Sequence, residues 1–520
     1  MASGVIMPKT VTKTLSFPLA GIARRFTYRR QPRPYATPYA LNMRGVGSLE
    51  RRERGGSRPG LTKVSTTDFG TSITCVNSVT SIDDDGNRLR NVIVVADGSL
   101  YVVEGATAES VSPELLWDDG EVILWDDGNT IIFDSTVTAA NPVTTTGAFH
   151  TAESGGRLYL ADSELQVFNP ITGIVEIVPN APSGCPLICM YRDRIILASD
   201  HLWYASKQGD FEDWDFGATF EDSSRAVAGE VSFSGIIGEP IKALIPFRDQ
   251  YLVFACENSL WLLKGDPATG TLQNLSGDVG IISPEAWAIT PGGMLSFLSN
   301  DGVYVGGVNE TPQRFSAERL PDSLRNVDPD TNNISMVYNA VDRGFHLFVA
   351  ADNSWFFDIA NKAVWKDTFA TTNFPVATSQ SEGNGIREVV MGCSDGYLRK
   401  FSSAAYTDDD TPFESVVVLG PFRMSHDDVA DAMLAELHGI LSDNSGTVRW
   451  NVFAANTAEE CADKSESIHN ASASGIWSDN RNKVSRTRVR GQWFAISLRG
   501  YSMWSFEAIA VVARQLGRLR

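Results

Sequence analysis

The 520 residues are 43% hydrophobic and only 21% charged, a composition of folded domains in a chain too long for one ordinary core, so wholesale disorder is excluded and two or three domains are expected. The formal net charge of −19 is unevenly held: residues 1–63 carry 13 Lys/Arg and two acids, whereas residues 64–520 carry 31 Lys/Arg and 61 Asp/Glu, an excess of 30 negative charges. A body of that sign argues against tight nucleic-acid binding, because phosphate contacts are made by Lys and Arg.

The longest apolar runs, such as NVIVVA and YLVFAC, are strand-sized, far short of the roughly 20 residues of a membrane-spanning helix, so no membrane span is expected. The N-terminal stretch has no apolar signal core. Its Arg24, Arg25, Arg29, Arg30 and Arg33 are interrupted by Pro32, Pro34 and Pro38, which prevents the amphipathic helix of an organellar leader. Without a secretory signal the sequons at Asn274, Asn309, Asn333 and Asn470 carry no weight. The six cysteines show no framework spacing and are expected reduced and buried. Cys185 and Cys189 are the one close pair, with no second pair or nearby His, and read as strand packing rather than a metal site.

Residues 1–63 show little periodicity, and QPRPYATPYALNMRGVGSLERRERGGSRPG is rich in Pro, Gly and Arg. Such a segment cannot order itself. It is expected as an extended basic arm laid on the acidic body of its own or an adjacent subunit, with Arg44, Arg51, Arg52, Arg54 and Arg58 as the assembly residues. Removing Met1–Gly60 is then expected to leave a folded body that fails to assemble.

From Leu61 to Phe401 one unit recurs: a strand, a tight turn built on Asp or Asn, and a second strand. It is found as VVADGSLYVV at Asp97, ILWDDGNTIIF at Asp127, YLADSELQVF at Asp162, ILASDHLWYA at Asp200, VFACENSLWLL at Asn258, MLSFLSNDGVYV at Ser299–Gly302, FVAADNSWFFDI at Asp352 and VMGCSDGYLRKF at Asp395. Asp and Asn, often beside Gly, take φ > 0 at a hairpin turn more cheaply than other residues. The mean step of about 43 residues matches a four-stranded propeller blade. A hairpin cannot bury its apolar face alone, but radially packed blades can, so residues 64–405 read as a β-propeller of six to eight blades. A row of antiparallel sandwich domains is the alternative.

Longer connections at Thr107–Leu115, Thr136–Gly147, Asp210–Gly229 and Gly306–Asn333 read as insertions on blades. In KQGDFEDWDFG, Trp214 is expected to tuck against a blade edge. AYTDDDTPFE, Ala405–Glu414, reads as a domain linker. Residues 412–520 change to longer alternating strands and read as a β-sandwich, with TAEECADKS as one short helix capped by Thr457; Leu434–Leu441 fits strand or helix equally.

No catalytic constellation stands out, and no cofactor or metal is expected. GCSDG at Gly392–Gly396 matches a nucleophile elbow, yet Ser394 falls in a repeated hairpin and is followed by a strand rather than a helix. The clusters Asp83–Asp85, Asp118–Asp119, Asp126–Asp127, Asp408–Asp410 and Asp427–Asp428 sit at turns, out of register for a calcium loop and scattered rather than convergent as a glycosidase pair would be. His426, Asp427, Asp428 and His438 lack ligand spacing.

Several stretches resemble the tail nozzle proteins of short-tailed bacteriophages. LNMRGVGSLERRERGGSRPGL, Leu41–Leu61, is similar to that family's N-x-R … G … (K/R)-R-P-G segment ahead of a propeller, with Ser57 in place of its first basic residue. WYASKQGDFEDW at Trp203–Trp214 and SGDVGIISPEAWAITPGGMLSFLSNDGVYV at Ser276–Val305 resemble two further runs, and the C-terminal strands with an Ala-Glu-Glu helix fit as well. The resemblance implies a structural virion protein without enzyme activity, made in the host cytoplasm. It implies a ring, of six subunits, below a tail adaptor protein. That ring would support fibre, spike or needle proteins, retain packaged DNA and let double-stranded DNA pass without tight binding. The alternative function is a propeller glycoside hydrolase or lyase of a phage tailspike.

Overall fold

In the computed structural model the Asp- or Asn-centred hairpins that fall within the described residues join the second and third strands of successive antiparallel sheets. The structure describes residues 10–23, 35–46, 54–82, 86, 88–104, 137–142, 150–219, 221–229, 237–315, 324–383, 386–425, 430–443, 445–478 and 482–516. Seven of the eight hairpins fall within these residues and each marks one blade; the eighth, at Asp127, lies outside them. At the first blade the turn is Asp97–Gly98, with φ of 49° and 64°, the left-handed pair that a two-residue hairpin requires.

The first strands of the seven blades are Ile73–Ile82, His150–Ser154, Leu187–Met190, Ile241–Phe247, Trp287–Ile289, Ser335–Asn339 and Pro375–Gly383. Hydrogen bonds link blade to neighbouring blade around a closed ring. Asn77 Nδ2 donates to Thr151 Oγ1 at 2.7 Å, Met336 N to the Glu285 carbonyl at 2.8 Å, and Ser335 and Thr378 share a hydroxyl bond of 2.6 Å. The circle closes where Ser78 Oγ donates to the Gln380 carbonyl at 3.0 Å, joining the first blade to the seventh. The described residues thus form a seven-bladed β-propeller, the radial solution that leaves few open strand edges.

The N-terminal segment is woven into both halves of the molecule. Its strands are β1 (Thr10–Ser16), β2 (Ala40–Leu41), β3 (Met43–Val46), β4 (Arg54–Ser57) and β5 (Gly60–Lys63). β5 pairs with Leu398–Ser402 and supplies the fourth strand of the seventh blade, so the start of the chain locks the last blade. β1 and β4 pair with Ser505–Gln515 in one sheet of the C-terminal sandwich, and β2 pairs with Ser415–Phe422 in the other. Within these described strands the segment is therefore a strap on its own chain, which corrects the picture of a separable arm. Its residues lack periodicity because, apart from the short β3–β4 pair, they pair with strands hundreds of positions away. Gly60 shows how closely it is held: a Cβ there would stand 2.2 Å from the Thr407 carbonyl oxygen.

The Ala405–Glu414 linker is also folded down. Thr407–Asp408 pairs in parallel with β5, adding to the seventh blade. The sandwich sheets run β3, β4, Ser505–Gln515, Ala432–Leu441, Asn482–Gly491 and β2, Ser415–Phe422, Trp493–Gly500, Val448–Ala455, Ala473–Trp477. Ala432–Leu441 settles the ambiguous Leu434–Leu441 as a strand that buries alternate residues between its two neighbours. Helix α1 (Ala458–Ser465) starts at Thr457, whose side chain accepts from Glu460 N at 3.2 Å, while Glu460 Oε2 accepts from Asn456 N.

One buried apolar cluster runs from the fourth, fifth and sixth blades into the sandwich. Phe17 of the strap sits at the joint, 1% exposed, its ring 5.5 Å from Trp365 of the sixth blade and 5.4 Å from Phe506 of the sandwich. Burying such a ring contributes about 1.5–3 kcal/mol.

Candidate functional site: strap junction and propeller axis

Among the described residues, two gatherings of polar side chains bear on function. The first is the junction where the strap crosses from sandwich to propeller. Asn42, fully buried with φ 53°, turns the chain between β2 and β3. Its amide satisfies both sides: Nδ2 donates to the Glu414 carbonyl at 2.7 Å and Thr368 Oγ1 at 2.9 Å, and Oδ1 accepts from Thr368 N and Arg58 Nε. Arg58 then reaches Asp408 through two bonds of 2.9 and 2.6 Å, donates to the Thr368 carbonyl, and lies 3.9 Å from the Phe413 ring centroid and 4.6 Å from that of Phe369. Arg44 makes the parallel bond to Asp367, 2.8 Å at Nη1, with its guanidinium 4.1 Å from the Phe356 ring. Pairing offsets most of the cost of burying such charges, although Arg44 Nε is left without a hydrogen-bond partner.

The five expected assembly residues thus separate. Arg44 and Arg58 are buried ligands of Asp367 and Asp408 in the same chain, the own-subunit alternative of the expectation. Arg54 is half-buried and reaches Ser505 Oγ at 3.2 Å, again within the chain. Arg51 and Arg52 lie outside the described residues. The acidic partners went unpredicted because Asp367 and Asp408 stand 323 and 350 positions from their arginines, with no local signal. The Asp408–Asp410 cluster is largely taken up by this junction, since Asp409 accepts from Arg399 at 2.7 Å, and Arg399 also binds Asp395. The other aspartate clusters and His426 lie outside the described residues.

Under the strap, His346 is stacked 4.6 Å from Phe401 and 4.8 Å from Phe356. Asn339 Oδ1 accepts from Val341 N, which orients the amide so that its Nδ2 donates to His346 Nε2 at 3.3 Å. The imidazole is therefore neutral with its proton on Nδ1, where it has no hydrogen-bond partner. Burial lowers its pKa well below the ordinary histidine range, and the Arg44 and Arg58 charges act in the same direction.

Ser394 is a hairpin residue with structural partners: Oγ accepts from Phe374 N at 3.1 Å and donates to the Thr372 carbonyl at 3.2 Å. His438, another candidate, lies 3.2 Å from Glu436 on a half-exposed strand face. Cys185 and Cys189 face different apolar clusters. Trp214 is 5% exposed between the second and third blades, its Nε1 donating to the Phe211 carbonyl.

The second place is the propeller axis. The first strands of the blades surround a cavity of 490 Å³, where Ser, Thr and Asn side chains alternate with apolar ones. Glu285 is the one carboxylate among its described lining residues, and His150 Nε2 stands 3.6 Å from it. His150 Nδ1 is 2.9 Å from the Pro186 carbonyl, so Nδ1 carries the proton. The volume is that of a small-ligand site.

No protein-family model and no curated protein matches the chain. Among solved structures, the WD40 repeats of RRP9 align with 66% of this chain and 99% of theirs, at 11% identity and a TM-score of 0.40. The structure of U3-55K aligns with 66% of this chain and 99% of its own, at 10% identity and a TM-score of 0.39.

Proposed function

We propose that this chain is a structural virion protein of a short-tailed bacteriophage, one subunit of a six-membered nozzle ring at the far end of the tail. What carries the reading is the junction: Asn42, Arg44, Arg58 and Gly60, the residues behind the resemblance, are the ones that interlock strap, propeller and sandwich. A subunit that holds back packaged DNA has to act as one stiff body, and buried two-point ion pairs with stacked aromatics supply that stiffness.

Charge supports the same reading. Residues 64–411 hold 19 Lys/Arg and 49 Asp/Glu, while residues 412–520 hold 12 of each. The acid excess therefore lies on the propeller, which makes it a wall that DNA passes without adhering. The conduit in this reading runs between subunits rather than through the narrow propeller axis. An adaptor protein above the ring and fibre, spike or needle proteins at its tip are the partners it implies.

Electron microscopy of the purified protein, with sedimentation velocity, tests the proposal. Rings with a central opening, and labelling of the tail tip by an antibody to this chain, are the expected results. A chain that stays monomeric over a wide concentration range and is absent from purified virions overturns it.

A further inference from the structure

The passage along the propeller axis is chemically graded. Its two widenings share Glu285, Trp287, Thr378 and Ser379, so they are successive parts of one channel. At the mouth that bears the turns between first and second blade strands, Arg248 and Arg387 border a cavity of 640 Å³, with Phe247, Trp287 and Tyr338 beside them. Glu285 stands at the waist, its side chain 59% exposed, and His150 and a set of hydroxyl and amide side chains lie beyond it.

Two guanidiniums at one rim run against the charge of a propeller whose acids outnumber its bases by 49 to 19. Arg248 is oriented there: its Nη2 donates to the Pro291 carbonyl at 3.2 Å and its guanidinium lies 5.1 Å from the Phe247 ring, which leaves most of its donors for a ligand. Arg387 is exposed at the start of the second strand of the seventh blade. This order specifies an occupant. The rim asks for an anionic group, because guanidinium donors bind carboxylate and phosphate oxygens. The waist asks for hydrogen-bond donors, since an ionised carboxylate only accepts. Trp287 and Tyr338 ask for a flat face of C–H groups, which aromatic rings cover well.

We propose that this mouth is a binding site for an acidic saccharide, a uronic acid or a sugar phosphate, with its anionic group between Arg248 and Arg387, its ring against Trp287 and its hydroxyls donating to Glu285. The cavity volume is that of sites for small ligands of this size. The inference stands on the axis alone and does not depend on ring assembly.

Calorimetric titration of the full-length protein with glucuronate, glucose 6-phosphate, glucose and inorganic phosphate tests it. The two acidic sugars are expected to bind, with glucose and phosphate each about tenfold weaker or worse. Arg248→Ala and Arg387→Ala, both on the surface, are expected to weaken the acidic sugars by about tenfold each. Tyr338→Ala should weaken the sugars and leave phosphate unchanged. Phosphate binding as tightly as the acidic sugars would reduce the mouth to a plain anion spot and overturn the saccharide assignment. Affinities indifferent to both arginine variants, or no binding heat from either acidic sugar, overturn the site itself.

Discussion

Arg58 and Asp408 meet as a two-point ion pair with both side chains shut away from water, at 0% and 3% exposure. Removing one partner leaves the other charged, buried and without its counterion. Arg58→Leu is therefore expected to lower unfolding stability by about 3–5 kcal/mol, and Arg58→Leu with Asp408→Leu by less than the single change. Chemical denaturation of the four proteins of the cycle checks this. A single variant within about 0.5 kcal/mol of wild type would show that the pair contributes little.

Truncation distinguishes a strap from an arm. Deleting residues 1–63 removes β5 from the seventh blade and bares the edges that β1, β2 and β4 cover, along with the surroundings of Trp365 and Phe506. The truncated protein is expected to aggregate or to unfold without a cooperative transition. A monodisperse product with native circular dichroism and an unchanged melting temperature would return the segment to the status of a passive leader.

His346 makes stability sensitive to acid. Its folded-state pKa lies well below the unfolded value of about 6.5, so between the two the unfolded chain binds more protons than the native one. Stability from this residue is intact above about pH 6.5 and falls as pH drops below it, by up to about 1.4 kcal/mol per pH unit. Asp342, whose pKa is raised by its own burial, acts in the opposite direction further down the scale. Denaturation midpoints at pH 7.5 and 5.5 should shift less in His346→Phe than in wild type, and an equal shift in both would rule out the residue as the sensor.

The thiols should be silent in the native protein. Burial pushes Cys75, Cys393 and Cys461 up to about 12, and Cys185 and Cys256 up to about 11. At pH 8 a disulfide reagent is expected to react slowly with folded protein and promptly with all six cysteines after denaturation. One thiol modified within the mixing time would identify a reactive site that burial does not predict.

What could be read without coordinates follows from how local each signal is. Asp97–Gly98, Asp162, Asp200, Asn258, Asn300–Gly302, Asp352 and Asp395 mark the seven blade hairpins because turn chemistry is decided by a few adjacent residues. Thr457 capping α1 is legible for the same reason, through a bond that spans three positions. The strap is the opposite case. Arg44 and Arg58 advertise only charge, and a cation in a Pro- and Gly-rich stretch looks solvated until its counterion is known. Only the closing of the ring brings Asp367 and Asp408 to them, and only the pairing of β5 with Leu398–Ser402 turns a segment without periodicity into the last strand of a blade. The repeating hairpin is thus written in adjacent residues, whereas the distant segments that close it are selected by the folded chain, because long-range pairing depends on what the rest of the chain places opposite.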